Sequence, residues 1–180
     1  MTEKMSESTY RHKAEAPSHL NFALITISTS RYKALKTGKS IKNPSGDIII
    51  NILQEAGNKV IYTDVVSDNG FLIRKSLKAA LNLLNVDAII MCGGTGITKT
   101  DITIETVSPL LEKYLPGFGE IFRKLSFENV GSAAIITRAT AGVINGKAIF
   151  CLPGSPQAVE LALKSLILPE TGHIVKHARE

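Results

Sequence analysis

Residues 60–96, VIYTDVVSDNGFLIRKSLKAALNLLNVDAIIMCGGTG, decide the fold. Val60–Val66 is a β-branched, largely apolar run that predicts a strand. Asp68 stands where a helix N-cap belongs, and Ile73, Leu77, Ala80, Leu81 and Leu84 then form one apolar stripe. Val86–Cys92 is a second strand, apolar apart from Asp87, and Gly93-Gly94-Thr95-Gly96 ends it. Strand, helix and fully apolar strand in that order make a crossover unit of a parallel sheet covered on both faces. Working outward, Asn21–Ser28 (NFALITIS) predicts a buried strand before the unit. Asn43-Pro44-Ser45 starts a helix with Ile49, Leu53 and Ala56 at helical spacing and Gly57 as its stop. Between them, 29–42 reads as a long polar loop.

Downstream, helical stretches are expected near 103–113 and 117–129, and a strand over Ala133–Thr137. Asn145-Gly146 between Val143-Ile144 and Ala148–Cys151 is a strong hairpin signal. A last helix over 156–168 follows Pro153-Gly154-Ser155 and is expected to stop at Pro169. The prediction is a single three-layer α/β domain over 20–170. It has a mostly parallel sheet, helices on both faces and a β-hairpin in its C-terminal part. Residues 1–19 are expected to be a flexible tail and 171–180 a short C-terminal one.

The chain has 180 residues, 44% hydrophobic and 21% charged, which is ordinary globular composition and excludes a disordered protein. Its apolar runs are too short to span a bilayer, and its N-terminal residues lack the apolar stretch of a secretory signal, which predicts a cytoplasmic protein. Cys92 and Cys151 form no CxxC pair and are expected to be buried thiols. The net charge is +5. Arg31, Lys33, Lys36, Lys39 and Lys42 fall in one stretch without an acid. Setting these aside leaves 16 of the 21 Lys and Arg residues against 16 Asp and Glu, so the whole excess is local. A nucleic-acid-binding face spreads cations over several elements, so no nucleic-acid partner is expected. A local anion site or a solvated loop fits better.

Gly93-Gly94-Thr95-Gly96-Ile97-Thr98-Lys99-Thr100-Asp101 is the sharpest chemical signal. It directly follows a buried strand, where open α/β sheets bind ligands. Three glycines in four residues let the chain turn tightly and leave N–H groups for an anion. It fits neither common phosphate loop. Thr98 replaces the second glycine of a Walker loop, and Lys99 replaces the third glycine of a dinucleotide fingerprint. A tight turn without a ligand uses the same glycines. Asp101, Thr103 and Glu105 alternate beyond it, with Thr103 as a candidate cap for the next helix. A carboxylate beside a phosphate cradle is what Mg²⁺ takes. Asp68 shares this rim in a parallel sheet. Leu152-Pro153-Gly154-Ser155-Pro156 repeats the strand–turn–helix arrangement, and Arg138 is placed to reach the same rim or to form a surface ion pair. His173 and His177 have metal-like i, i+4 spacing but no third ligand, so they read as part of a solvated tail.

Gly93–Gly96, Asp101-x-Thr103-x-Glu105, Pro116-Gly117-Phe118-Gly119-Glu120 and Leu152–Pro156 together resemble the molybdopterin-binding MogA/MoaB family. Gly117–Arg123, Leu125–Glu128, Arg138-Ala139 and Ala141–Val143 are most similar to its MoaB branch. The resemblance covers roughly residues 20–170 and implies molybdenum cofactor biosynthesis. The implied reaction is adenylylation of molybdopterin with Mg-ATP and release of pyrophosphate. It further implies Asp68 and Asp101 as the catalytic and Mg²⁺-holding acids. Ser28, Ser45, Gly46, Gly93, Gly94, Thr95, Gly96, Glu105, Arg138, Pro153, Gly154 and Ser155 are implied to hold substrate. Two departures stand out. The family's Asp two residues before the Ser-Gly pair is here Asn43, and its Ser-Asp/Asn-Arg is here Ser28-Thr29-Ser30-Arg31. A homo-oligomer, trimer or hexamer, and contact with other enzymes of the pathway are also implied. A non-catalytic molybdopterin-binding protein and an oligomeric scaffold are the alternatives the same residues leave open.

Overall fold

In the computed structural model, which describes residues 15–180, the sheet is built outward from the strand before the glycine loop. That strand, β3 (Ala88–Cys92), is buried at every position. It pairs in parallel with β1 (Asn21–Ile27) on one side and β6 (Lys147–Leu152) on the other. β2 (Lys59–Val66) adds parallel to β1, while β5 (Thr140–Ile144) and the short β4 (Lys113–Tyr114) add antiparallel beyond β6. The order is β2-β1-β3-β6-β5-β4.

Strand alternation sorts the core into two layers. Phe22, Leu24, Ile90, Phe150 and Leu152 pack with Ile49 and Leu53 of α2 (Pro44–Glu55), Phe122 of α5 (Pro116–Val130) and Val159 of α6 (Pro156–Ala162). Ala23, Ile25, Ile89, Met91 and Cys151 pack on the other face with Ile73, Leu77 and Ala80 of α3 (Gly70–Leu81). The predicted three-layer domain is present. So is the hairpin: Asn145 (φ 50°) and Gly146 (φ 68°) adopt the left-handed pair that a two-residue turn needs.

Four local expectations are corrected. Residues 29–36 are not loop but helix α1 (Thr29–Lys36); none of its residues is buried, so no apolar period announced it. The stretch 103–113 breaks into α4 (Thr103–Val107), a 3₁₀ turn over Ser108–Leu110 and β4. The stretch 133–137, with β-branched Ile135, Ile136 and Thr137, is not a strand: 133–136 lie in a 3₁₀ segment, Gly131–Ile136, and Thr137 caps its C-terminal end. Only Ala134 is buried there, and β propensity acts through packing on a pleated, half-buried surface. Pro169 does not end the last helix. A π turn over Leu163–Ile167 passes into α7 (Leu168–Ala178), and the missing proline N–H falls in its first turn.

The expected C-terminal tail is therefore largely helix, with Thr171 and Val175 buried. Residues 1–14 of the expected N-terminal tail lie outside the described residues. Residues 15–19 run along α7, where a side chain at Gly172 would come within 2.5 Å of the Pro17 carbonyl. Among the described residues no helix is long and apolar enough to cross a membrane.

Candidate functional site

The parallel strands β1, β2, β3 and β6 end on one rim, so Ser28, Asp68, the glycine loop and the Pro153–Ser155 turn gather there. The strand ends are joined by Ser28 N–H to Val66 O (2.8 Å) and Gly93 N–H to Leu152 O (3.0 Å). Gly93 has φ +109°, and a Cβ there would lie 2.3 Å from Ile27 O. Only glycine lets these three strand ends close.

Thr103 takes up the loop's outward carbonyls. Its hydroxyl donates to Gly93 O (2.8 Å) and its N–H to Gly94 O (2.9 Å). It thus braces the loop; the residue before it, Ile102, is the N-cap of α4 and makes no side-chain cap. With the carbonyls held, the N–H groups of Gly94 and Thr95 donate to no other group among the described residues. Those two N–H groups are the donors the loop has left for an anion.

The two acids flank this loop. A Cβ on Gly94 would lie 2.8 Å from Asp68 Oδ1, and one on Gly96 would lie 2.7 Å from Asp101 Oδ2. Asp68 is not the N-cap of α3. Asn69 fills that role, accepting from the N–H groups of Phe71 and Leu72 through Oδ1. Asp68 Oδ2 instead accepts from the N–H (3.0 Å) and hydroxyl (2.8 Å) of Thr29, while Oδ1 faces Gly94 without a hydrogen bond among the described residues. Asp101 Oδ2 accepts from the Thr98 N–H (2.9 Å) and hydroxyl (2.6 Å). The Thr98 hydroxyl holds the Asp101 carboxyl below the usual carboxylate range, with the Gly96 and Thr98 amides and Arg138 acting in the same direction. Asp101 is a fixed anion at neutral pH.

Arg138 does both things expected of it. Nε donates to Thr95 O (2.9 Å), and its terminal nitrogens donate to both Glu105 carboxylate oxygens. Glu105 is held below its ordinary pKa by that guanidinium. Ser45 is buried, and its hydroxyl donates to Gly154 O (2.7 Å), which ties the start of α2 to the Pro153–Ser155 turn. Asn43, the N-cap of α2, accepts from Gly46 N–H and donates to the Thr26 hydroxyl. Of the five local cations, Arg31, Lys33 and Lys36 lie on α1, directly after β1, and Arg31 Nε donates to Lys42 O (2.9 Å).

Elsewhere, Cys92 and Cys151 are buried as expected, and burial pushes both thiols up to about 12. His173 and His177 pair with Glu170 and Glu180 on α7 and its end. Sequence reasoning missed Thr29 and the bracing role of Thr103. The i, i+3 spacing of Thr98 and Asp101 was a readable turn signal. The Thr29–Asp68 contact spans 39 positions and had none.

A family model described as a probable molybdopterin binding domain matches residues 23–173. The molybdenum cofactor biosynthesis protein B of Bacillus subtilis (strain 168) is 44% identical over 174 residues, covering 96% of this chain and 98% of that protein. The molybdopterin adenylyltransferase of Pyrococcus furiosus is 43% identical over 173 residues, covering 94% and 97%. Among solved structures, the tungsten cofactor synthesizing protein MoaB from Pyrococcus furiosus superposes with a TM-score of 0.80 at 41% identity, over 92% of this chain and 100% of that one. Fold and sequence agree: the chain belongs to the molybdopterin-binding domain family.

Proposed function

We propose that this protein adenylylates molybdopterin with Mg-ATP in molybdenum cofactor biosynthesis, releasing pyrophosphate. The observation that carries the reading is the glycine loop with unspent Gly94 and Thr95 amides between two carboxylates, Asp68 at Gly94 and Asp101 at Gly96. The name of the Pyrococcus furiosus relative supports the same activity.

In this reading the terminal phosphate of molybdopterin attacks the α-phosphorus of ATP, and pyrophosphate leaves. Phosphoryl-type transfer of this kind needs positioning and charge stabilisation, and no side-chain nucleophile. The loop amides hold phosphate, the Pro153–Ser155 turn holds the pterin, and Arg138 keeps the loop in place. Among the described residues no three His, Cys, Asp or Glu side chains cluster as a metal cage. Two carboxylates plus substrate phosphate oxygens form the donor set that Mg²⁺ takes, and Asp101 and Asp68 fit it. When bound, Mg²⁺ supplies neutralisation of charge on the attacking and leaving oxygens.

We place the active form in a homo-oligomer, trimer or hexamer. In support, Ile121, Phe127, Val130, Ile135 and Ile136 are exposed over one stretch of α5 and the following 3₁₀ segment. Such apolar surface favours association. Incubation with molybdopterin, Mg²⁺ and ATP is expected to release pyrophosphate, with loss of release in Asp101→Ala. A folded wild-type protein that binds molybdopterin but releases none would make it a binding protein or scaffold instead.

A further inference from the structure

Thr29 has no part in the reaction as proposed, yet it makes every hydrogen bond of the Asp68 carboxylate among the described residues. The arrangement is reciprocal. The Thr29 hydroxyl donates to Asp68 Oδ2 (2.8 Å) and accepts from the Asp68 N–H (3.1 Å). Its remaining neighbour is the Ser67 hydroxyl at 2.8 Å. With the single Thr29 proton on Asp68, Ser67 is the donor of that third contact, so the oxygen is fully used.

The same contacts anchor a helix. Thr29 is the first residue of α1, which buries no residue and receives no side-chain cap from Ser28. Its first N–H groups still need acceptors, and Asp68 Oδ2 takes the Thr29 N–H at 3.0 Å. A carboxylate at a helix N-terminus is also favoured by the backbone dipoles. Held by two donors from one residue, Oδ2 cannot turn away without losing both, and Oδ1 is kept facing Gly94.

We propose that Thr29 is a positioning residue: it sets the Asp68 carboxylate and fastens the helix carrying Arg31, Lys33 and Lys36 to that acid, so the acid and the cationic helix hold one arrangement at the rim. The proposal rests on the part assigned to Asp68 above.

Thr29→Val keeps the β-branched shape and removes the hydroxyl; Thr29→Ser keeps the hydroxyl and removes the methyl. Two readouts separate the claims: hydrogen exchange of amides 29–36 in ligand-free protein, and kcat and KM for pyrophosphate release. In Thr29→Val, exchange over α1 is expected to rise about tenfold and kcat to fall about tenfold, with KM for molybdopterin held within about twofold. Thr29→Ser is expected to restore both. Unchanged exchange and kcat in Thr29→Val, or a Thr29→Ser variant that behaves like Thr29→Val, overturns the proposal. If Asp68→Ala retains full pyrophosphate release while Thr29→Val still loosens α1, the part assigned to Asp68 is what fails. The catalytic half of the proposal is then overturned with it.

Discussion

Arg138 braces the glycine loop against Glu105: one guanidinium donates to both Glu105 carboxylate oxygens and, through Nε, to Thr95 O at 2.9 Å. The pair is partly solvated, so its direct contribution is expected to be only about 1 kcal/mol or less. Its larger effect is on loop geometry. Arg138→Ala is expected to lower pyrophosphate release at least tenfold, by roughly the cost of one misplaced electrostatic donor set. Steady-state assays of folded variant check this.

The same pair sets a pH dependence. Glu105 is held below its ordinary value of 4.5 by Arg138. A depressed carboxyl contributes stability above its unfolded pKa and loses it as the pH falls through the lower folded value. The Tm difference between wild type and Glu105→Gln is therefore expected to be full at neutral pH and to vanish in acid below 4.5. Scanning calorimetry across that range tests the sign.

Gly93 and Gly94 separate fold from site. A Cβ at Gly93 would lie 2.3 Å from the Ile27 backbone oxygen, at φ +109°. Backbone cannot yield, so Gly93→Ala is expected to cost more than about 3 kcal/mol. A Cβ at Gly94 would meet side-chain atoms instead, Thr103 Oγ1 at 2.5 Å and Asp68 Oδ1 at 2.8 Å. Gly94→Ala is expected to cost at least about 2 kcal/mol, since φ +62° is strained for alanine and Thr103 Oγ1 is the buried brace on Gly93 O, and to lose activity through displaced Asp68. Urea unfolding beside pyrophosphate assays distinguishes the two.

The charge excess is expected to act on substrate capture. Replacing Arg31, Lys33, Lys36, Lys39 and Lys42 with Gln should weaken apparent ATP affinity several-fold at low salt and flatten its salt dependence. Unchanged affinity and salt slope would leave the segment only a solvated helix and loop.

At the opposite end of the sheet, buried Lys147 donates to Leu83 O and Val86 O, and burial lowers its pKa. Lys147→Met leaves both carbonyls without that donor. The expected loss is about 1–3 kcal/mol in urea unfolding with activity retained per folded molecule.

The sequence by itself determined the layers, because the near-continuous apolar runs of Asn21–Ser28 and Val86–Cys92, which call for cover on both faces, and the stripe from Ile73 to Leu84 are local patterns. It also carried the glycine loop, Asp101 and the Asn145-Gly146 turn, since backbone freedom and turn chemistry are properties of adjacent residues. Helix α1 was not legible: a helix with no buried residue has no period to read, and its anchor lies 39 positions away at Asp68. Tertiary structure alone decided that Asp68 faces Gly94, that Ser45 ties α2 to Gly154, and that Arg138 pairs Thr95 with Glu105. These contacts join residues brought together by the ends of parallel strands. Their partners are chosen by strand order and register, which no single segment encodes.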